Sequence, residues 1–494
     1  MPELAAQLLF IALLLALAAL PLAFQSTQCF GFEHDEGLFL TISRQILNGQ
    51  VLYKDAMDNK LPGLYVSLAP VVLGCGNSLF CIRTAAALLN FISALLLYFA
   101  CRKYLFGWSG YVAPVAYLVL SAASMNVFFR SEFLLGHLFA LSFFLLAFSL
   151  QKRNALFYLA AVPIAFGALI KPAFALVFVP VLYFLYVKSH ATKRQLGQFA
   201  IAFAVSTFLL ALAFSTFSDY RGFLSMPNGW LSSIAAHLSA AGFASFMEFA
   251  FFFILFFGFA LALAFANFKS LSDFEKMCAV AFASVAILAV IFKSFSLTYN
   301  MLLFPLFFIP FSLLLASVAS ERMRNSRPGI DGAAALLPLL VFFAISAMAI
   351  YMAIPTPADH ALATNHACLP CSAVMSQAAR AANGSLFVYP SRAGLYYVFN
   401  ALPFTRYAYH HELISSKISS PSWFESEVSG PLFSKQPNVV LLFDDQNVLV
   451  NSTEAKRRND YLTATLPANY TEYAQTACPG MHVYVKKSLP APAG

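Results

Sequence analysis

The sequence has few charged residues for its length. Only 11% of its 494 residues are Asp, Glu, Lys or Arg, whereas about a quarter are charged in an ordinary soluble domain. It also contains no Walker A loop, no Gly-x-Gly-x-x-Gly motif and no internal repeat. The shortage of charge excludes an ordinary soluble protein, and the missing motifs leave no glycine-rich phosphate-binding signature.

Long apolar runs make up most of the chain. Hydrophobic residues make up 60% of the chain, and Phe alone occurs 54 times. Because about 20 apolar residues form a helix that crosses a bilayer, the pattern predicts a polytopic α-helical membrane protein. A β-barrel has shorter, alternating segments instead. We count about 11 runs of spanning length, which cover 4–24, 84–100, 110–125, 133–150, 155–170, 173–187, 198–217, 246–266, 277–292, 300–318 and 333–354.

The first run, Leu4–Phe24, has two interpretations. It is either a cleaved signal peptide or a retained membrane helix. No Lys or Arg precedes it, and it is long enough to span the bilayer. We therefore favour a retained helix.

The charge of the loops predicts the orientation of the chain. Basic residues concentrate in short loops on one side, and the positive-inside rule places that side in the cytoplasm. The N-terminus is then cytoplasmic, and the C-terminal region is extracytoplasmic. Much of the Lys and Arg lies in these loops, where it sets topology, so the net charge of +8 does not indicate a nucleic-acid partner. The loop residues concerned are Arg102, Lys103, Lys152, Arg153, Lys188, Lys193, Arg194, Lys269, Lys276, Arg322, Arg324 and Arg327.

The composition changes after about residue 354. Ser, Asn, Tyr and charged residues become more frequent, and no later run is long enough to span. Leu386–Tyr389 and Asn438–Phe443 are typical of short buried strands, with a short helix over Arg392–Phe399 between them. We predict a transmembrane domain over 1–354, with a first outer loop over 25–80, and a small extracytoplasmic α/β domain over 355–494. Three Asn-X-Ser/Thr sequons permit glycosylation there without proving it, at Asn383, Asn451 and Asn469.

The cysteines fall into two groups. Cys101 and Cys278 lie in or near apolar runs, where we expect them to pack as small hydrophobic residues. The other six fall on the predicted outer side, where disulfides form if the compartment is oxidising. A Cys-x-x-Cys pair also allows a zinc site, but a single pair is weak evidence. The pairing stays open for Cys29, Cys75, Cys81, Cys368, Cys371 and Cys478.

A cluster of ionisable residues follows the first apolar run. Glu33-His34-Asp35-Glu36-Gly37 places carboxylates and an imidazole at the edge of the membrane, where charge is costly. The functional interpretation is a general base that deprotonates an acceptor hydroxyl. The alternative is a helix N-terminus, where Asp35 caps the helix and Glu36 complements its dipole. The spacing alone does not separate the two.

Further charged residues lie on the same predicted outer side. Lys60 either binds a lipid phosphate or snorkels to the interface. Each of the others is individually typical of an interface anchor or a local ion pair. Together they provide cations for an anionic lipid-linked substrate and carboxylates for proton transfer. The charged residues are Lys60, Arg130, Glu132, Lys171 and Lys293, and Tyr299 lies near Lys293 at the same outer helix end.

Short motifs in these segments resemble a known family. The sequence is similar to the GT-C glycosyltransferases, in particular the branch of dolichyl-phosphate-mannose–protein mannosyltransferases and aminoarabinose transferases. The resemblance extends over most of the membrane part. It rests on His34-Asp35-Glu36-Gly37, Ser43-Arg44, Asn48-Gly49, Tyr53-Lys54-Asp55, Asn59-Lys60-Leu61-Pro62, Arg83, Arg130-Ser131-Glu132, Gly167 to Lys171, Tyr299, Pro305 and Gly394-Leu395-Tyr396-Tyr397.

The resemblance implies a GT-C-like fold and roles for particular residues. Asp35 is the implied base, with Glu36 beside it and Glu132 as the second acidic position. Lys60 and Lys171 would hold the carrier phosphate. Beyond these implied roles, we predict that His34, Arg130, Lys293 and Tyr299 also bind substrate. Some relatives have Glu-Lys-Pro-Pro where this chain has Asn59-Lys60-Leu61-Pro62, so we predict no metal and no other cofactor. The Trp-Trp-Asp motif of the oligosaccharyltransferase branch is absent.

These observations predict an integral membrane glycosyltransferase. It would move one sugar, with inversion, from a polyprenyl- or dolichyl-phosphate donor to a protein or lipid acceptor on the extracytoplasmic face. A transporter or flippase of lipid-linked sugars is the first alternative, although transporters commonly show internal repeats and mid-membrane polar groups. A non-catalytic membrane scaffold is the second.

Overall fold

The computed structural model is mostly helical and contains a four-stranded β-sheet near its C-terminus. All structural statements below concern the residues that the structure describes. These are residues 2–27, 34–58, 60–123, 129–150, 155–188, 190–224, 262, 264, 266–291, 297–325, 378, 381–383, 385–389, 394–403, 405, 424–443, 453–472 and 481–488.

The helices before the sheet differ widely in length, and only the longer ones have spanning length. A short 3-10 turn, Gly107–Tyr111, precedes the fifth. The helices are α1, Pro2–Thr27; α2, His34–Leu47; α3, Pro62–Cys75; α4, Leu79–Tyr104; α5, Val112–Ala123; α6, Ser131–Ser149; α7, Ala155–Leu159; α8, Ala161–Ala168; α9, Ala173–Val187; α10, Lys193–Phe214; α11, Tyr220–Leu224; α12, Asp273–Ile291; and α13, Leu297–Asn325.

Four of the described helices are long and apolar enough to cross a membrane. They are α4, α6, α10 and the stretch Leu4–Leu22 of α1. Shorter apolar helices add to them, among them α3 and α9. The prediction of an integral membrane protein therefore fits the structure. The predicted count of about 11 spans stays a prediction, because run 333–354 and most of run 246–266 lie outside the described residues.

The α10 helix has an exposed apolar face. Ile201, Phe208 and Leu212 are 65%, 67% and 56% exposed. A continuous apolar face of this kind is costly in water and marks a surface that contacts other apolar matter. Lipid contact accounts for the exposure, in line with the length of the helix.

The chain divides into two compact units. The first, which we call the helical unit, comprises Met1–Phe24, Arg83–Ala213 and Leu231–Pro355. The second, the mixed unit, comprises Gln25–Ile82, Phe214–Trp230 and Thr356–Gly494. The first outer loop thus shares a compact unit with the C-terminal region. The boundary predicted near residue 354 lies outside the described residues and stays a prediction.

Aromatic packing forms the core of the helical unit. The α12 helix packs against α13 and α9, and α13 also packs against α5 and α6. Phe139 of α6 lies 5.4 Å from Phe178 of α9, measured between ring centroids. The ring centroids of Phe143 and Phe274 are 6.0 Å apart. Buried aromatic pairs of this geometry contribute about 0.5–1.5 kcal/mol beyond their buried area.

An ion pair joins the start of α12 to the end of α13. Glu275 is 1% exposed, and Arg324 donates to both of its carboxylate oxygens at 2.6 and 2.9 Å. The backbone N–H of Ser272 donates to the same carboxylate at 2.6 Å. A buried carboxylate needs such partners because its desolvation is costly.

The mixed unit contains the sheet, whose strand order is β1-β2-β4-β3. The β1 strand pairs in parallel with β2, and the other two pairings are antiparallel. Every residue of β1 and β2 is buried, which suits their unbroken apolar sequences. The strands are β1, Leu386–Tyr389; β2, Val439–Phe443; β3, Tyr470–Glu472; and β4, Met481–Lys486. The two predicted strands agree with β1 and β2 to within one residue.

Among the described residues, three α-helices accompany the sheet, together with a π-helical turn, Glu425–Ser429, and a 3-10 turn, Leu466–Ala468. The three α-helices are α14, Gly394–Val398; α15, Gly430–Lys435; and α16, Thr453–Thr465. The first lies inside the helix predicted over Arg392–Phe399, and it packs against α2. A disulfide between Cys75 and Cys81 closes the turn after α3. The structure thus assigns one disulfide among the six cysteines whose pairing the sequence leaves open.

The loop before α3 is held by the segment before α11. The backbone N–H of Leu52 donates to the Phe217 carbonyl at 2.9 Å, and the N–H of Asp219 donates to the Leu52 carbonyl at 2.8 Å. Tyr53 has a positive φ of 67°, an unusual value for a bulky residue. A Cβ atom on Gly222 would lie 2.5 Å from the Tyr53 carbonyl oxygen. Only glycine therefore allows this approach of the two segments.

We predict that Gly222→Ala destabilises the protein by about 1–3 kcal/mol, because the added methyl group collides with backbone rather than with a movable side chain. Thermal unfolding of the protein in detergent measures the effect. Gly197→Ala in α10 is the matched control, since its Cβ atom would meet nothing within 4 Å. A Gly222→Ala protein that unfolds at the wild-type temperature would contradict the close contact.

Candidate active site

The α2 helix places Asp35 and Glu36 in its first turn. Glu36 is fully buried, and Asp35 is half-buried. A carboxylate in the first turn is stabilised by the helix dipole. The position of Asp35 is therefore compatible with both the capping and the catalytic interpretation. His34 begins the helix, but its side chain lies outside the described residues.

The rest of α2 is embedded in the mixed unit. Every residue from Glu36 to Gln45 is buried. The Ser43 hydroxyl donates to the carbonyl of Phe39 at 2.7 Å and contacts that of Tyr65, in α3, at 3.1 Å. The helix that carries the candidate base is therefore held on several sides, which is what a preorganised catalytic group requires.

The backbone at Lys60 is fixed by a tyrosine seven residues earlier. The Tyr53 hydroxyl donates to the Lys60 carbonyl at 2.5 Å. Burial, and then the charge of Asp58, raise the pKa of Tyr53 well above its usual value, so the phenol keeps the proton that it donates. Tyr65 in turn donates to the Asp58 carboxylate. Lys60 itself is half-buried, at the end of a braced loop.

The helical unit contains a second charged group. Glu132 lies in the first turn of α6 and is 5% exposed. Its carboxylate pairs with the Lys171 ammonium and accepts the Ser131 hydroxyl at 2.9 Å. Lys171 follows α8 directly, and its backbone N–H donates to the Gly167 carbonyl at 2.9 Å. Arg130 precedes α6 in an extended conformation.

The sequence predicts Glu132 and Lys171 as separate site residues, and the structure brings them together. Their separation of 39 residues gives no pairing signal in the sequence. The packing of α6 against α8 brings the pair together, since Glu132 lies in the first turn of α6 and Lys171 comes after α8. The Lys171 side chain is 30% exposed, so its charge is only partly enclosed.

Besides His34, two further predicted site residues lie wholly or partly outside the described residues. Lys293 lies outside the described residues, and Tyr299 belongs to α13 with its side chain outside them. Among the described residues, no three His, Cys, Asp or Glu side chains cluster in a way that could hold a metal ion. The prediction that no metal or cofactor takes part stays a prediction.

Solved structures with the same architecture define the class of the fold. ArnT from Cupriavidus metallidurans, bound to undecaprenyl phosphate, matches with a TM-score of 0.64 at 14% identity, over 99% of each chain. The oligosaccharyltransferase AglB from Archaeoglobus fulgidus, in complex with an inhibitory peptide and a dolichol-phosphate, matches with a TM-score of 0.57 at 11% identity. That match covers 98% of this chain and 74% of AglB. The chain therefore has the GT-C fold, which is the fold that the resemblance found in the sequence implies.

Part of the chain also matches the model of a protein family. Residues 67–220 match the family model described as dolichyl-phosphate-mannose-protein mannosyltransferase. This segment contains Arg130, Glu132 and Lys171, and it begins after Lys60. No curated protein sequence matches the chain.

We predict that Lys171→Met destabilises the protein by about 1–3 kcal/mol, since it leaves the Glu132 carboxylate buried without its cation. Glu132→Gln should cost less, because Lys171 is partly exposed. The double variant should be more stable than the sum of the two single effects implies. Thermal unfolding of all three proteins measures the coupling, with Lys188→Met, an exposed lysine, as control. Strictly additive effects would contradict the ion pair.

Proposed function

We propose that this chain transfers a single sugar from a polyprenyl- or dolichyl-phosphate donor to a protein or lipid acceptor, with inversion at the sugar. The acidic first turn of α2, on a GT-C fold, is the observation that carries this proposal. Two neighbours were solved with undecaprenyl phosphate and with a dolichol-phosphate, which supports a donor of that kind. The reaction would take place on the extracytoplasmic face of the membrane, with the N-terminus in the cytoplasm.

Asp35 is the proposed general base. Its half-buried carboxylate removes the proton of an acceptor hydroxyl, and the freed oxygen attacks the anomeric carbon of the donor. A new carbon–oxygen bond forms to the acceptor as the bond from the anomeric carbon to the phosphate oxygen breaks. The lipid phosphate leaves with the electron pair, so attack and departure on opposite faces invert the centre. Glu36 stands beside the base in the same turn.

Cationic side chains would bind the lipid phosphate that leaves the donor. Lys60, on its braced loop, is the first candidate, because a fixed ammonium stabilises developing negative charge without reorganising. Lys171 would act together with Arg130, and its pairing with Glu132 keeps the ammonium in place. His34, Lys293 and Tyr299 remain proposed substrate contacts. Glu132 remains the proposed second acidic residue of the site.

The rival functions differ in the fate of the donor. A flippase or transporter moves a lipid-linked sugar intact, and a scaffold leaves it unchanged. Neither needs a carboxylate in the first turn of α2. The proposed transferase does need one, because the acceptor hydroxyl must lose its proton as it attacks.

We predict that Asp35→Asn abolishes transfer while the protein accumulates normally. The test deletes the gene, restores wild type or variant at matched protein level, and measures glycolipid and glycoprotein masses. A mass increment of one sugar should vanish on deletion and return only with wild type. Asp460→Asn is the matched control, because Asp460 is exposed on α16. If Asp35→Asn restores the increment fully, Asp35 is not the base.

We predict that Lys60→Gln lowers kcat/KM for the donor by about 10- to 100-fold, the equivalent of one charge-assisted hydrogen bond of about 1.5–3 kcal/mol. Steady-state kinetics with a polyprenyl-phosphate sugar measures the change. Lys54→Gln, an exposed lysine of the same loop, is the control and should leave kcat/KM unchanged. Equal effects at both positions would mean that Lys60 only adds to a general surface charge.

A further inference from the structure

Arg44, in the last turn of α2, contacts two distant segments of the chain. Its guanidinium lies over the Tyr397 ring, with the guanidinium carbon 3.8 Å from the ring centroid. One nitrogen donates to the Tyr397 backbone carbonyl at 2.9 Å, and another donates to the Asn77 side-chain oxygen. Arg44 is 7% exposed, and Tyr397 is fully buried. One side chain thus joins three segments that are distant in the sequence.

Tyr397 contacts the same turn that receives Arg44. Its hydroxyl donates to the Gly76 carbonyl. Gly76 has a positive φ of 53°, which glycine adopts without strain. The Cys75–Cys81 disulfide closes this turn covalently. Arg44, Tyr397 and the turn therefore form a closed cycle of contacts, which we call the Arg44 anchor.

The anchor and the acidic turn share one helix, because both Arg44 and Glu36 lie on α2, which packs against α14. The charge of Glu36 acts on the Tyr397 phenol, and it raises the pKa of that phenol together with burial, the larger cause. The Arg44 charge acts in the opposite direction. Glu36 directly follows Asp35, so a shift of α2 against Tyr397 would move the proposed base as well.

We propose that Arg44 is a positioning residue that fixes α2, and with it Asp35, against α14 and the Cys75–Cys81 turn. This inference rests on the proposed function for its kinetic part, and on the contacts alone for its structural part. A guanidinium suits the role because its planar fork donates in two directions while its face stacks on an aromatic ring. Lysine offers a single ammonium and cannot reproduce all three contacts.

The anchor predicts an effect on kcat rather than on KM. Arg44 is buried against Tyr397 and Asn77, so it is not expected to touch the donor. A displacement of about 1 Å of a catalytic group costs on the order of 100-fold in rate. We expect Arg44→Lys to lower kcat about 10- to 100-fold with the KM of the donor unchanged, and Tyr397→Phe to lower kcat less, since the ring remains.

The structural part has its own measurement. Hydrogen–deuterium exchange of peptides that cover His34–Leu47 should become faster in Arg44→Lys and in Arg44→Met than in wild type. Exchange in β2 and β4 of the same unit should stay unchanged, which separates local loosening from general unfolding. Arg102→Met is the matched control, because Arg102 stacks on Tyr111 at 4.9 Å in the helical unit. It should leave both kcat and the exchange of α2 unchanged.

The outcomes separate this inference from the proposed function. Faster exchange of α2 with a fall in kcat supports the anchor. Unchanged exchange of α2 in Arg44→Lys and Arg44→Met overturns it, whatever the activity. A raised donor KM with unchanged kcat also overturns it and makes Arg44 a donor contact. If the wild-type protein transfers no sugar, the proposed function fails, while faster exchange of α2 still supports the structural anchor.

Discussion

The enclosure of charge along α2 is the constraint on which the rest of the mixed unit depends. Glu36 and Arg44 are both withdrawn from water, and a buried ion without partners costs several kcal/mol. The guanidinium is therefore met by an aromatic face, a backbone carbonyl and a side-chain amide oxygen. These partners come from two later segments of the chain, at Asn77 and at Tyr397, so the Arg44 charge can be buried only when both segments are in place.

This constraint explains why the first loop and the C-terminal region form one compact unit. Arg44 and Tyr397 are 353 residues apart, yet the Arg44 guanidinium donates to the Tyr397 carbonyl at 2.9 Å. The loop that ends at Lys60 is likewise braced by the distant segment around Phe217 and Gly222. The mixed unit contains two candidate groups, the acidic turn of α2 and Lys60. Long-range contacts of this kind make the positions of both groups depend on parts of the chain that carry no reactive residue.

The sequence predicts what depends on local pattern. Apolar length gives the membrane helices, and unbroken apolar stretches give Leu386–Tyr389 and Val439–Phe443 as buried strands. The clustering of carboxylates predicts where α2 begins. Pairings across the chain leave no comparable signal, because any of several lysines could meet Glu132. Lys171 does so because α6 packs against α8, which is a property of the folded chain.

The fate of the donor tests the central claim most directly. Purified protein in proteoliposomes is incubated with a panel of polyprenyl-phosphate sugars and an extract of candidate acceptors. Phosphorus NMR then follows the phosphate, and mass spectrometry follows the acceptor. The account predicts that the donor phosphodiester becomes a polyprenyl phosphomonoester, matched by acceptors that are heavier by one sugar. Donor that stays intact, or that only changes leaflet, would contradict a transferase and favour transport.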